Sequence, residues 1–152
     1  MIKLNSIEVH RSPYLISTDV SRFDLPKTHQ MITNSYWAAN IPFDIYKLSV
    51  ENSLSFGVYH ELDGQVGLAR VISDYATYAY LGDVLMHADH RGHGLGKWLI
   101  QTIVEHPNLQ KIRSFRLETA DAHGLYAQFG WEPIANPHKS MVKQVFKYKE
   151  EE

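Results

Sequence analysis

The sequence contains no cysteine among its 152 residues. Disulfide bonds, a catalytic thiolate and thiolate metal sites are therefore excluded for this chain. It also lacks any apolar run of about 18 residues, the length that suggests a membrane-spanning helix. The N-terminal stretch MIKLNSIEVHRSPY has no continuous apolar segment of the kind that signal peptides carry. We therefore expect a cytoplasmic protein that does not bind membranes.

An excess of one charge sign is missing as well, since the formal net charge is only −2 at pH 7. Such a balance gives no general attraction to nucleic acid or to an anionic membrane. With 44% apolar residues, the chain has the composition of a globular protein that buries its own core. No repeat, linker or low-complexity tract divides it, so we predict a single domain over residues 1–152.

The N-terminal half combines weak helical signals with clear strand signals. Residues 7–18, IEVHRSPYLIST, are predicted as one strand, and residues 26–37 as a short helix. A second helix is expected after Pro42. Residues 54–73 predict a β-hairpin that turns at Asp63-Gly64, because glycine readily adopts positive φ.

The C-terminal half predicts strands and helices in alternation. A long strand over 77–87 leads into a glycine-rich loop, and apolar residues at helical spacing then predict a helix that Pro107 ends. Residues 114–119 are expected to form a strand, followed by a short helix capped by Asp121 and a closing strand over 140–148. This order predicts a mixed sheet with helices packed on it.

The glycine-rich loop lies within HRGHGLGKWL, residues 90–99. A helix N-terminus offers free backbone N–H groups and a partial positive charge, and glycines let an anion approach them closely. Arg91 adds a guanidinium that pairs well with phosphate oxygens. The loop alone leaves two interpretations open, a phosphate or pyrophosphate site and a merely tight connection. A nucleoside-triphosphate P-loop fits poorly, because Gly96-Lys97 is followed by Trp98.

The run Arg91-Gly92-His93-Gly94-Leu95-Gly96 resembles the acetyl-CoA signature of the GNAT superfamily of N-acetyltransferases, Arg/Gln-x-x-Gly-x-Gly/Ala. The stretch TADAHGLYAQFGWEP, residues 119–133, is similar to a later motif of that family, Asn-x-x-Ala-x-x-Leu-Tyr-x-x-x-Gly-Phe. Its matching positions are Ala122, Leu125, Tyr126 and Gly130. Trp131 stands for the final aromatic residue, whereas Thr119 replaces the asparagine. The resemblance places the acetyl-CoA signature at 84–104 and the second motif at 113–133.

The resemblance implies a single-domain α/β (α+β) fold, whose mixed, mostly antiparallel sheet is splayed to hold CoA and carries helices on both faces. CoA would lie between the strands at 77–87 and 113–118, as a co-substrate and without a metal. The cofactor-binding residues that this implies are Val84, Leu85, Met86, Arg91, Gly92, His93, Gly94, Leu95, Gly96 and Thr119.

The reaction implied by the resemblance is direct attack of a neutral primary amine on the thioester. The oxyanion that develops needs a donor, expected from a backbone N–H of residues 84–86. Tyr126 would protonate the leaving thiolate, since a phenol with a pKa of about 10 keeps its proton at neutral pH. Asp83 would accept the amine's proton, directly or through water, or attract its charge. Core packing for Tyr126 and a solvent-facing carboxylate for Asp83 are the structural alternatives.

The acceptor side is expected to involve Trp37 and Phe43, which could form an apolar slot for an amine-bearing group or belong to the core. Asp74, at the preceding turn, is a further candidate for contact with the amine. His87, His90 and His93 are spaced by three residues, yet we expect no metal there. A loop that clasps phosphate need not bring these side chains together, and no carboxylate partner is evident.

Two hypotheses of different classes follow. The leading one is an acetyl-CoA-dependent N-acetyltransferase acting on a small-molecule or peptide amine, with neither nucleic acid nor membrane as a partner and with a homodimer left open. The alternative is a non-catalytic CoA-binding sensor or interaction module. Tyr126 favours the enzyme, because binding alone does not require a phenol at that position.

Overall fold

The computed structural model describes residues 4–150, which contain one six-stranded sheet. Its strands lie side by side in chain order and are β1 Glu8–Arg11, β2 Tyr14–Ser17, β3 Leu54–His60, β4 Gly64–Ser73, β5 Tyr78–Met86 and β6 Ser114–Leu117. Neighbours from β1 to β5 pair antiparallel, and β5 pairs with β6 in parallel. The predicted mixed, mostly antiparallel sheet is confirmed.

Within residues 4–150, four α-helices cover the two faces of the sheet. They are α1 Leu25–Thr33, α2 Phe43–Glu51, α3 Leu95–Val104 and α4 His123–Ala127, with short 3-10 turns at 20–22, 88–90, 107–109 and 137–139. Leu68 of β4 packs with α1 and α2, whereas its neighbour Ala69 belongs to the core that α3 covers. This division follows from the strand, in which successive side chains point to opposite faces. The predicted helices on both faces are therefore confirmed.

The N-terminal segment departs from its prediction as one strand. Arg11 of β1 pairs directly with Tyr14 of β2, so residues 7–18 form a hairpin that turns at Ser12-Pro13. Proline has no backbone N–H to contribute to a strand ladder, and its ring fixes φ, which explains why the strand is interrupted there. The helix predicted over 26–37 ends earlier than expected, at Thr33.

Two predictions for the C-terminal region are wrong. The N-cap residue of α4 is Ala122 rather than Asp121, and the Ala122 N–H donates to Thr119 Oγ1 at 3.0 Å. Residues 141–150, the last that the structure describes, form neither helix nor strand, so the closing strand over 140–148 is not formed. Its large apolar residues come in adjacent pairs, Met141-Val142 and Val145-Phe146, instead of alternating. A strand of that pattern cannot place them all on one buried face.

The longest helix within residues 4–150 is α3, which has ten residues. A bilayer crossing needs about 20 predominantly apolar residues. No helix in the described part of the chain meets that requirement.

Candidate active site

The parallel strands β5 and β6 separate part of the way along β5. Their pairing ends at Leu81 and Leu117, whereas β5 continues to Met86. A cavity of about 650 Å³ opens beyond this point, lined by Val84 from β5 and Tyr126 from α4 among others. The sheet is therefore open at the place where the sequence motifs predicted a CoA-binding wedge.

An irregularity in β5 lies beside this opening. The β4–β5 register shifts between Leu68 and Arg70, and Asp83 has a φ of +56°. A non-glycine residue with positive φ is uncommon, and bulges of this kind redirect side chains next to functional sites. Leu81 and Val84 pack on the same face of the sheet although they are three positions apart, a spacing that puts side chains on opposite faces of a regular strand. The bulge therefore inverts the alternation of β5.

The Asp83 carboxylate is held from two sides. Its Oδ2 accepts a hydrogen bond from Arg70 Nε at 2.8 Å, and its Oδ1 accepts one from Trp37 Nε1 at 2.9 Å. The Arg70 and Asp83 side chains are only 18% and 10% exposed, respectively. Both carboxylate oxygens are thus engaged, and the negative charge is fixed in position at the edge of the cavity.

The loop after α1 connects the two sides of the opening. Tyr36 Oη accepts the Ala120 N–H at 3.3 Å, beyond the end of β6, while the adjacent Trp37 is bonded to Asp83 in β5. Tyr36 and Trp37 also line a second cavity of about 580 Å³, together with Leu85 and Arg91 among others. These two aromatic residues therefore lie where the two cavities adjoin.

Tyr126 is almost fully buried in the wall of the first cavity, with its ring 5.9 Å from that of Trp131. Burial, followed by the negative charges that Tyr36 and Asp121 can carry, raises the pKa of the Tyr126 hydroxyl above its ordinary value. The phenol consequently keeps its proton throughout the neutral range, which a proton donor to a leaving thiolate requires.

The glycine loop is open to a ligand. Gly92 and Gly94 have φ values of +82° and +72°, a conformation that L residues other than glycine rarely adopt. A Cβ placed at Gly92, Gly94 or Gly96 would have open space around it within 4 Å. Among the described residues, none caps the first turn of α3 with its side chain. The N-terminal N–H groups of α3 are therefore free to bind an anion such as a phosphate.

Two further predicted residues make local contacts. Thr119 lines the first cavity while its Oγ1 holds the Ala122 N–H. Phe43 is the first residue of α2 and contacts His29 of α1 edge to face, with ring centroids 5.3 Å apart. The structure thus brings Trp37, but not Phe43, into the lining of the first cavity.

Asp74 lies in the turn between β4 and β5. Its carboxylate accepts hydrogen bonds from the Thr77 hydroxyl at 2.6 Å and from the backbone N–H groups of Ala76, Thr77 and Tyr78 at 2.8–3.2 Å. The Thr77 hydroxyl and then these N–H groups hold the pKa of Asp74 well below its ordinary value. This carboxylate organises the turn that leads into β5.

Sequence reasoning missed several polar residues of the first cavity. Arg70 and Tyr80 come from β4 and β5, and Glu118 and Asp121 from the segment after β6. Burial, and then the negative charge of Glu118, raises the pKa of Tyr80. Glu118 and Asp121 adjoin the second motif and could have been suspected from it. Arg70 lies in a run of mostly apolar residues whose sequence gives no functional signal.

Comparisons with known proteins agree with this geometry. The sequence matches the family described as "Acetyltransferase (GNAT) domain" over residues 51–133. A provisionally assigned acetyltransferase of Gibberella zeae is 30% identical over 125 residues, which cover 67% of this chain and 71% of the relative. The fold and the site thus define an acetyltransferase, and the chain belongs to the GNAT family of N-acetyltransferases.

Solved structures support the same assignment. A provisionally assigned GNAT acetyltransferase of Xanthomonas campestris pv. campestris is 44% identical, with a TM-score of 0.82 over 87% of this chain and 93% of that chain. Glucosamine-6-phosphate N-acetyltransferase from Arabidopsis thaliana has a TM-score of 0.62 over 88% of this chain and 99% of that chain. It is only 13% identical, so the likeness concerns the fold alone. Members of the family use acetyl-CoA as their co-substrate.

Proposed function

We propose that this protein transfers the acetyl group of acetyl-CoA to the primary amine of a cationic small molecule or peptide, by direct attack on the thioester. One observation carries the proposal. A buried phenol, Tyr126, and a fixed carboxylate, Asp83, line the same cavity at the opening between β5 and β6. The proton donor of α4 and the acceptor-binding carboxylate of β5 thus lie at the same cavity.

We assign CoA binding to the glycine loop and to the end of β5. Residues 91–96 receive the pyrophosphate, supported by the positive φ of Gly92 and Gly94 and by the open start of α3. The backbone of residues 84–86, beyond the last β5–β6 pair, bonds to the pantetheine arm and supplies the oxyanion donor. Thr119 borders this space from the opposite side.

The proposed chemistry balances as a simple substitution. The amine nitrogen forms a bond to the carbonyl carbon, the carbon–sulfur bond breaks, and the thiolate takes the proton of the Tyr126 hydroxyl. An acceptor that arrives as an ammonium ion first loses one proton to solvent. The neutral amine loses a second proton as it attacks, and this proton restores the phenol directly or through water. Burial supports this role, because a raised pKa keeps the Tyr126 hydroxyl protonated until the thiolate forms.

The charges around the cavity favour a cationic acceptor. Three carboxylates line it, those of Asp83, Glu118 and Asp121, against one guanidinium, that of Arg70. The Arg70 guanidinium, which pairs with Asp83, balances only one of these three charges, so the net charge of the lining is negative. An ammonium group is attracted to such a site, whereas an acceptor that carries a carboxylate is repelled. Trp37 and Tyr80 provide aromatic surface for the rest of the acceptor.

A panel of amines tests the proposal. Thiol release from acetyl-CoA and the acetylated product are measured with polyamines, amino acid amides and the matching amino acids that keep a free carboxylate. We expect turnover, with kcat/KM about tenfold or more higher for each amide than for its amino acid. Acetyl-CoA binding without thiol release on any amine would instead support the CoA-binding sensor.

A further inference from the structure

A compact group of potential metal ligands lies at one end of the sheet. His60 is the last residue of β3, Asp63 lies in the β3–β4 turn, and His90 ends the 3-10 turn before the glycine loop. One ligand atom from each of the three lies within 4.8 Å of the others. All three lie outside the linings described above for the two cavities.

The distances within this group approach those of a metal site. His90 Nε2 is 2.8 Å from Asp63 Oδ2, and His60 Nδ1 is 3.6 Å from the same oxygen. Tetrahedral zinc with bonds of about 2.0–2.1 Å places its ligand atoms about 3.3 Å apart. Small side-chain adjustments would therefore admit an ion between the three groups.

The surroundings support ligation by His90. Tyr14 Oη is 2.8 Å from His90 Nδ1, so this nitrogen can donate its proton to the tyrosine while Nε2 binds the ion. A bond of this kind to the second ring nitrogen is the usual support of a metal-bound histidine. The rings of Tyr14, His60 and His90 also pack together, with centroids 4.9–5.6 Å apart.

The three potential ligands differ in burial, because the two histidines are mostly buried whereas Asp63 is exposed. The His60 and His90 side chains are 16% and 9% exposed, whereas the Asp63 side chain is 57% exposed. The imidazoles are thus held in place, and an ion can arrive from solvent past the carboxylate.

His60 presents an unprotonated nitrogen to this space. Its Nδ1 accepts the backbone N–H groups of Leu62 and Asp63, each at 3.2 Å. An ion on Nδ1 would replace these two long hydrogen bonds. Leu62 and Asp63 are both exposed, so water can take over their N–H groups.

We propose that His60, Asp63 and His90 form a binding site for a divalent transition metal ion, with Zn²⁺ as the representative ion and water completing its coordination. Two imidazoles and one carboxylate are a nitrogen and oxygen set that suits zinc. Because His90 adjoins Arg91, a bound ion would tie the β3–β4 turn to the start of the glycine loop. The proposal does not depend on acetyl transfer.

Zinc titration of the full chain tests this site. The protein is freed of any histidine tag and of metal, and binding is followed by calorimetry. We expect about one Zn²⁺ per chain, and affinity lower by about tenfold or more in Asp63→Asn and in His60→Gln. Asp63→Asn retains an oxygen that can accept from His90, which favours an intact fold. His138→Gln, a change at an exposed histidine outside the cluster, should bind zinc like the parent.

Cobalt provides a second readout that does not rely on activity. Co²⁺ bound by these ligands should give the visible absorption of a four-coordinate site, and Asp63→Asn should lose it while keeping its melting temperature without metal. Lack of saturable binding by the parent chain would overturn the proposal. Equal zinc affinity in the parent and both ligand variants would overturn it as well.

Discussion

Asp83 contributes a charge whose position is set by its neighbours. Arg70 and Trp37 occupy one site on each carboxylate oxygen, and the left-handed backbone turns the residue out of the regular strand. An anion fixed in this way can attract an ammonium group without first reorganising. We therefore propose that Asp83 binds the amine in its ammonium form, and that the proton lost before the attack goes to solvent rather than to Asp83.

Asp83→Asn should raise KM for the amine several-fold and leave kcat nearly unchanged at saturating acetyl-CoA. The amide removes the negative charge but keeps an oxygen for hydrogen bonding, and it leaves the Arg70 guanidinium unbalanced beside the incoming cation. Steady-state kinetics at pH 7 and pH 9 measure both parameters.

Asp44→Asn is the matched control for this change, because Asp44 is an exposed carboxylate of α2 outside the linings described for the two cavities. It should leave KM for the amine unaltered. The assignment of Asp83 is contradicted if kcat falls in Asp83→Asn and recovers at high pH, since that pattern identifies the group that accepts the proton.

The glycine loop and α3 together form the proposed anion site. The chain enters the helix through Gly94 in the left-handed conformation, and the N–H groups of the first turn remain available. The site therefore depends on backbone geometry and on open space rather than on a particular side chain.

Gly94→Asp should abolish the rise in melting temperature that CoA gives the parent protein, because a carboxylate at this position repels the pyrophosphate. Gly94→Asn adds a similar side chain without the charge and should retain part of the effect. Gly124→Ala, in α4 and outside the linings described for the two cavities, is the second control. A Cβ there has open space around it, so CoA should still stabilise this variant. Undiminished CoA binding by folded Gly94→Asp would exclude the loop as the phosphate site.

Elements with a strong local signal were predicted well from the sequence. The β3–β4 hairpin and α3 formed as expected, since a turn glycine and apolar residues at helical spacing act over short distances. The strand predicted over 140–148 did not form. Strand formation depends on a partner strand and on a face to bury, and composition reveals neither. The β5 bulge at Asp83 was also invisible, since no local signal marks it.

Contacts between distant segments of the chain determine the features that the sequence could not show. The glycine loop and the second motif, which contains Tyr126, could be recognised in the sequence because each is a local pattern. The Arg70–Asp83 pair joins two strands, and the His60–Asp63–His90 group joins a hairpin turn to a loop that follows the next strand. Such groups meet only through the pairing of the sheet.

The buried tyrosines predict how stability depends on pH. Burial raises the pKa of Tyr46 to about 12 and holds that of Tyr59 still further above its ordinary value. Below about pH 10 both phenols are neutral in the folded and the unfolded chain. Above it the unfolded chain loses these protons first, so the free energy of unfolding should fall as pH rises, by up to about 1.4 kcal/mol per pH unit for each tyrosine.

Urea unfolding between pH 7 and pH 12 measures this dependence. We expect these phenols to make a nearly constant contribution to the free energy of unfolding up to about pH 9.5, and a falling one above it. Tyr46→Phe removes one of the titrating groups, so the free energy of unfolding of this variant should decline less steeply with pH. If the free energy of unfolding fell equally above about pH 9.5 in the parent and in Tyr46→Phe, Tyr46 would not contribute to the pH dependence.

We propose that the opening between β5 and β6 is a catalytic site in which Tyr126 donates a proton. The most direct measurement compares kcat and the acetyl-CoA Kd of the parent with those of Tyr126→Phe, with chemistry shown to be rate-limiting. Phenylalanine keeps the ring against Trp131 and removes only the proton donor. We predict a fall in kcat of about 10²–10⁴-fold with Kd nearly unchanged, since the loss belongs to the transition state. A kcat within about twofold of the parent would contradict the claim and assign Tyr126 to packing.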